Sequence, residues 1–292
     1  MNSYVIATDS CSDLPQQLIE DLKIEVIPLL VTVEDLEFLH YPDERNYKTK
    51  DFYNLLRDKQ VAKTSLINTE SFINFFEPIL KQGKDIIYIG FSSALSGTYQ
   101  SSVIAKEMLL EKYPDRKIIT IDSKAASMGL GLLVYLAAKK SDADILKLEK
   151  YVEDLKLSIT HIFTVDDLGT LRRGGRLSDV SAILGTLLKI KPILHVSEEG
   201  KLVPLKKARG RDFSLEKMLE VIFESFIENK NETIFISHGD DLEDAKYVGS
   251  RIQEKYKNIQ IIYNEIGPVI GAHSGPGTIA VFFIGNKRWF IT

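Results

Sequence analysis

Short apolar runs alternate with stretches of helical periodicity through the first half of the chain. The clearest run is Asp85–Gly90 (DIIYIG), whose length and flanking residues are typical of a strand buried in a parallel sheet. Further strands are predicted at Tyr4–Ala7, Glu25–Thr32 and Lys117–Ile121, and helices at Lys50–Asp58, Thr69–Gln82, Tyr99–Leu110 and Ala125–Lys139. This alternation predicts an α/β fold whose N-terminal part has a mainly parallel sheet flanked by helices.

The second half follows a different pattern. Lys191–Val196 and Lys201–Leu205 flank a turn sequence, Ser197–Gly200, which predicts an antiparallel hairpin. Helical stretches and single strands then alternate to the end of the chain. We therefore expect an N-terminal domain over residues 1–155 and a C-terminal α/β domain with a mixed or antiparallel sheet over residues 156–292.

Composition excludes several classes of protein. The net charge is −4 and no basic block occurs, so the electrostatic footprint of a nucleic-acid-binding protein is missing. No apolar run approaches the roughly 20 residues that span a bilayer, so we expect no integral membrane segment. The single cysteine, Cys11, cannot form an internal disulfide, which fits a reducing cytoplasmic location.

A hydroxyl-rich segment follows the strand at Asp85–Gly90. This segment, Phe91–Ser101 (FSSALSGTYQS), leads into a predicted helix. It offers four hydroxyl side chains: Ser92, Ser93, Ser96 and Thr98. Ligands of parallel sheets bind beyond the carboxyl ends of the strands, and a helix N-terminus supplies free N–H groups and a positive dipole. The segment therefore predicts an anion site.

Two further segments are candidates for the same site. Gly267–Gly277 (GPVIGAHSGPG) frames His273 with glycines and prolines between two predicted strands, so His273 is either a ligand-binding group or an exposed loop histidine. Thr64 and Ser65 fall between two predicted helices, where they either bind a ligand or cap the following helix.

Two basic groups remain open to both a functional and a surface interpretation. The first group either clamps a phosphate or carboxylate or is solvated surface: Arg172, Arg173 and Arg176. The second is the densest basic cluster of the chain, which either is solvated surface or steers an acidic partner: Lys206, Lys207, Arg209 and Arg211.

The sequence offers little evidence for metal binding or for covalent catalysis. Asp9 and Asp122 end predicted strands, but neither has a nearby second carboxylate, so we expect them to cap loops and helices. The histidines show no metal-ligand spacing, and His161 and His195 are expected in the core. No G-x-S-x-G elbow occurs.

These segments resemble those of the DegV family, in the order found there, over essentially the whole chain. The matching segments are Thr8-Asp9-Ser10 with Asp13-Leu14-Pro15, Lys63-Thr64-Ser65, Ser92–Tyr99, Asp122–Gly131, Gly174-Gly175-Arg176 and Gly267–Gly277. The family has two α/β domains (DegV/EDD-like) and is similar to the FakB fatty-acid-binding subunits of bacterial fatty acid kinase. The resemblance implies one buried long-chain fatty acid, with its carboxylate held where the domains meet.

The resemblance also implies roles for individual residues. It assigns the carboxylate to five residues: Thr64, Ser65, Ser93, Ser96 and His273. Arg176 would lie nearby, and Arg209 would match the region that docks the fatty acid kinase subunit. The chain would then carry no catalytic residue, metal or cofactor, and the kinase would convert the presented acid to an acyl phosphate for phospholipid synthesis. The alternative is a stand-alone hydrolase or phosphotransferase using Ser93 and His273.

An acyl chain also needs an apolar tunnel, because each buried methylene contributes about 0.8 kcal/mol. Three apolar helical stretches are candidates for its wall: Ile73–Leu80, Leu130–Ala138 and Ile183–Ile190.

Overall fold

The computed structural model describes residues 4–176 and 190–285, in which helices and strands alternate along most of the chain. The helices are α1 (Gln16–Leu22), α2 (Thr49–Arg57), α3 (Thr69–Lys81), α4 (Thr98–Lys112), α5 (Met128–Ala138), α6 (Ile145–Leu155), α7 (Leu168–Arg173), α8 (Arg211–Ser225), α9 (Leu242–Lys255) and α10 (Pro268–Ser274). Residues 183–189 of the third predicted tunnel helix lie outside the described part.

The strands of the N-terminal half are β1 (Tyr4–Asp9), β2 (Glu25–Ile27), β3 (Leu30–Val33), β4 (Leu36–Leu39), β5 (Ala62–Ser65), β6 (Asp85–Gly90) and β7 (Ile118–Asp122). Those of the C-terminal half are β8 (Ile159–Thr164), β9 (Ile190–Val196), β10 (Leu202–Arg209), β11 (Thr233–His238), β12 (Gln260–Glu265) and β13 (Ile279–Ile284).

The described strands form three sheets. A parallel sheet has the order β2-β1-β6-β7, and a mixed sheet has the order β10-β9-β8-β13-β11-β12, in which β11 and β12 are parallel and the other pairs antiparallel. Both confirm the predicted fold class, and the antiparallel pair β9/β10 confirms the predicted hairpin. The third sheet, β4-β3-β5, is antiparallel.

This third sheet was not predicted, and it corrects two expectations. The single strand expected at Glu25–Thr32 is wrong: Pro28 lies between β2, which joins the parallel sheet, and β3, which joins the antiparallel one. Proline lacks the N–H that a continuous ladder needs, so the chain changes sheets there. Thr64 and Ser65 lie in β5 rather than between two helices.

Helix α5 is the centre of the apolar core. Almost all of its side chains are buried, as expected for a helix that is apolar on every side. One cluster of buried apolar residues runs from the parallel sheet past α5 to the mixed sheet, where Tyr135 packs on Phe235 with ring centroids 5.3 Å apart. A second cluster lies among α8, α9 and the mixed sheet. The division at residue 155 stays a prediction.

None of the helices within residues 4–176 and 190–285 combines the length and apolar character needed to cross a bilayer.

Candidate ligand-binding site

An apolar cavity of about 240 Å³ lies between the mixed sheet, the segment after β6, and the helices α7 and α10. Much of its wall is apolar, including Leu29, Phe91, Phe163, Val196, Leu202 and Phe282. Several polar residues also line it, among them Thr64, Ser65, Ser96, Arg176 and His273. The cavity thus combines an apolar interior with hydrogen-bond donors, which is the usual character of a small-molecule site.

Thr64 and His273 meet at this cavity from opposite ends of the sequence. Thr64 stands opposite Val31 in the β3/β5 pair, and His273 lies in the last turn of α10. The Thr64 hydroxyl and the His273 Nε2 atom are 2.8 Å apart. Burial, with a smaller effect of the nearby Arg176 charge, lowers the pKa of His273 to about 4. His273 is therefore neutral at pH 7.

Helix α10 is held in place by the buried carboxyl group of Asp13. Asp13 accepts hydrogen bonds from the Gly267 amide (3.0 Å) and the Ser127 hydroxyl (2.6 Å). Pro268 then opens the helix at its first turn, where its missing N–H costs nothing. A side chain at Gly267 would place Cβ 2.1 Å from the His40 ring, so glycine is required there. The sequence predicts only a connection between two strands here. The helix is not predicted because the Asp13 side chain that anchors it lies far away in the sequence.

The hydroxyl-rich segment after β6 is also anchored by buried acid groups. Asp9 accepts hydrogen bonds from the Phe91 amide (2.9 Å) and the Tyr88 hydroxyl (2.6 Å). The half-buried Ser96 lines the cavity, and its hydroxyl lies 3.0 Å from that of Thr98, where α4 begins. The predicted convergence of this segment with Thr64 and His273 therefore holds for Ser96.

Ser93, which the family resemblance assigns to the carboxylate, does not lie at the cavity. Its side chain is exposed and does not line the cavity. Its amide donates to Asp122 (3.1 Å) and its hydroxyl accepts from the Lys124 ammonium (3.0 Å). No hydrogen bond joins Ser93 to His273, so a Ser93–His273 nucleophile–base pair is not formed among the described residues. Nothing in the sequence distinguishes the two serines except that Ser96 lies nearer the start of α4.

Arg176 supplies positive charge at the same place. Its Nε donates to the Leu95 carbonyl (3.3 Å) and one terminal nitrogen to the Gly174 carbonyl (2.5 Å). Within residues 4–176 and 190–285 no carboxylate pairs with it. A half-buried guanidinium without a carboxylate partner favours an anionic ligand at this end of the cavity.

A second, polar cleft of about 1110 Å³ adjoins the apolar cavity. The two share three residues: Thr64, Arg176 and His273. Charged pairs line the cleft, including Arg211 with Asp241 (2.7 Å) and Asp244 (2.5 Å). The polar end of the apolar cavity therefore also borders a wider cleft.

Of the predicted basic cluster, two residues have ion-pair partners and two are exposed. Lys206 pairs with Glu224, and Arg211 with Asp241 and Asp244, whereas Lys207 and Arg209 are exposed on β10. The three arginines of the predicted clamp are also separated in the structure. Arg173 pairs with Asp167, Arg172 is exposed, and only Arg176 of the three lines the cavity.

The interpretation of the aspartates as capping residues is confirmed. Asp9 accepts from the Cys11 amide and Asp122 from the Lys124 amide. His161 is buried, with Nδ1 3.0 Å from the Ile159 carbonyl and Nε2 accepting from Ala126, which confirms a core histidine. The described residues contain no group of three or more His, Cys, Asp or Glu side chains suited to hold a metal ion.

Comparison with known proteins identifies the fold and family. Among curated proteins, a DegV domain-containing protein of Clostridium perfringens is 44% identical over 290 residues, covering 99% of each chain. Another from Streptococcus pyogenes serotype M1 is 36% identical, covering 98% of this chain and 99% of the relative.

Solved structures give the same result. DegV from Bacillus subtilis, described as a fatty acid binding protein, has a TM-score of 0.83 at 28% identity, covering 96% of this chain and 98% of that one. A Thermus thermophilus DegV family protein, described by its fatty acid binding, has a TM-score of 0.85 at 26% identity, covering 97% and 99%. A family model described as "Uncharacterised protein, DegV family" matches residues 3–286. The chain therefore belongs to the DegV family.

Proposed function

We propose that this protein binds one long-chain fatty acid, with the acyl chain in the apolar cavity and the carboxylate beside Thr64 and His273. The observation that carries the proposal is the meeting of hydroxyl, imidazole and guanidinium groups at an otherwise mainly apolar cavity. Burying a carboxylate without partners costs several kcal/mol, so such a ligand needs these donors. The fatty acid binding described for the B. subtilis and T. thermophilus proteins supports the same ligand class.

The charges at the site fit a carboxylate better than a neutral headgroup. His273 is neutral at pH 7, so it contributes a hydrogen bond and no charge. Arg176 supplies the positive charge, while Thr64, Ser65 and Ser96 supply hydroxyl donors. His273 is hydrogen-bonded to Thr64, and the Ser93 hydroxyl to Lys124, so among the described residues no serine has the paired base that a hydrolytic serine requires.

We further propose that the bound acid is presented to a separate ATP-dependent fatty acid kinase subunit in the cytoplasm, which forms the acyl phosphate used for phospholipid synthesis. The wide polar cleft beside Thr64 and His273 supports this, because it offers space next to the carboxylate. Arg211, at the start of α8, lines that cleft, and the exposed Arg209 lies two residues before it. Phe213 is 72% exposed in the first turn of α8. An arginine and an exposed aromatic side chain are typical anchors of a protein interface.

Ligand binding is tested by native mass spectrometry of the protein purified from bacteria, followed by titration of delipidated protein with oleate and palmitate. We expect a co-purified fatty acid and saturable binding at one site. Absence of both would refute the proposal. Turnover of acyl esters or nucleotides by the chain alone would instead favour an enzyme.

Presentation to a kinase is tested separately, with the purified kinase subunit, ATP and the oleate-loaded protein. We expect Arg209→Ala and Phe213→Ala to reduce acyl phosphate formation at least severalfold while oleate affinity stays unchanged. Leu146→Ala is the matched control, because Leu146 is 52% exposed on α6, outside the cavity and the cleft. Equal loss in all three variants, or no loss in any, would contradict docking at Arg209.

A further inference from the structure

Gly174, at the end of α7, lies directly against the ring of His273. A Cβ atom at this position would stand 2.4 Å from His273 Nδ1, far inside van der Waals contact. The backbone itself does not require glycine, since φ is −70° and ψ is −10°, which every L-residue adopts readily. Space for His273 is therefore the reason that this position excludes a side chain.

His273 Nδ1, the ring atom next to Gly174, is shielded from solvent. This atom is buried and has no hydrogen-bond partner within the described ranges 4–176 and 190–285. A neutral imidazole carries its proton on only one of the two nitrogens. An orphaned buried N–H is rarer in proteins than an under-satisfied acceptor, so the proton is favoured on Nε2, which faces the Thr64 hydroxyl at 2.8 Å.

We propose that Gly174 is a positioning residue that seats His273 as the Nε2–H tautomer and so sets the direction of the hydrogen bonds at the cavity. His273 Nε2–H then donates to the Thr64 oxygen, and the Thr64 hydroxyl proton is left to donate to an anionic ligand. The inference deepens the proposed function and rests on it for the identity of the ligand. It accounts for a glycine that backbone geometry alone does not demand.

The tautomer is measured on the wild-type protein by NMR of ¹⁵N-labelled histidine, with the His273 signals assigned from His273→Ala. We expect protonation at Nε2. Protonation at Nδ1 would overturn the proposal, whether or not a Gly174 variant folds. This measurement needs no ligand, so it is independent of the proposed function, which fails instead if the wild-type protein binds no fatty acid.

The positioning role is tested by a double-mutant cycle with oleate. We expect Gly174→Ala to raise Kd roughly tenfold, the loss of about one hydrogen bond to a charged group. The matched control is Gly169→Ala in the same helix, whose Cβ would meet the ends of the Asp167 and Arg173 side chains at 2.9 and 3.0 Å. These side chains are exposed and can move, so its affinity stays within about twofold of wild type.

In the His273→Ala background the space beside residue 174 is open, so Gly174→Ala has no further effect on Kd if it acts through His273. The same tenfold loss in that background would overturn the positioning role, because the effect would then arise elsewhere in the fold.

Discussion

Replacing Thr64 by valine tests the arrangement of the carboxylate site most directly. Valine has nearly the same shape and the same preference for a strand, so β5 keeps its pairing with β3. The substitution removes the hydroxyl that lies 2.8 Å from His273 Nε2. Two interactions are lost: the donor to the ligand carboxylate, and the partner of the His273 ring.

The expected magnitude follows from these contacts. A hydrogen bond to a charged group contributes about 1.5–3 kcal/mol, which corresponds to a rise in Kd of about 10- to 150-fold. Arg176 is untouched, so binding is weakened and not abolished. The acyl chain keeps its apolar contacts, because the substitution leaves the apolar residues of the cavity wall unchanged.

Isothermal titration of delipidated protein with oleate measures this change, and methyl oleate serves as a ligand without the charge. We expect Thr64→Val to weaken the acid much more than the ester. The control is Thr32→Val on the neighbouring strand, whose hydroxyl donates only to Glu37 at an exposed position. If Thr64→Val changes the Kd of oleate less than twofold, or affects acid and ester equally, the carboxylate does not lie at Thr64.

Three further results are expected. Burial raises the pKa of Asp13 to about 8, so the folded protein keeps a proton that the unfolded chain loses near pH 4. The free energy of unfolding therefore declines as pH rises from about 4 to 8, and Asp13→Asn should flatten this decline in urea unfolding. Because the pKa of His273 is lowered to about 4, the unfolded chain takes up a proton on this residue below about pH 6.5 and the folded protein does not, so stability falls with pH. Between pH 6.5 and 4 the free energy of unfolding of the wild type should therefore drop about 2–3 kcal/mol more than that of His273→Ala. Gly129→Ala would place Cβ 2.1 Å from His161 Nε2, and we expect a loss of about 1–3 kcal/mol in chemical unfolding; unchanged stability would contradict the packing described.

The fold class could be predicted because its signals are local. The strand at Asp85–Gly90 is confirmed with the predicted bounds, since an apolar run between turn residues is visible without any partner. The β4-β3-β5 sheet was missed because its strands are only four residues long, and because β5 pairs with β3 across the intervening helix α2. Helix α10 was missed for a related reason, because its glycine-rich sequence has low helix propensity and depends on Asp13.

The sequence alone determined which chemical groups this protein has for a ligand: hydroxyls after β6, the Thr64–Ser65 pair, a glycine-framed His273 and Arg176. Only the tertiary structure decided which of them meet. Thr64 and His273 are 209 positions apart and touch through the packing of β5 and α10. Ser96 lines the cavity, whereas the Ser93 hydroxyl bonds to Lys124, 31 positions away, and no local pattern encodes that contact.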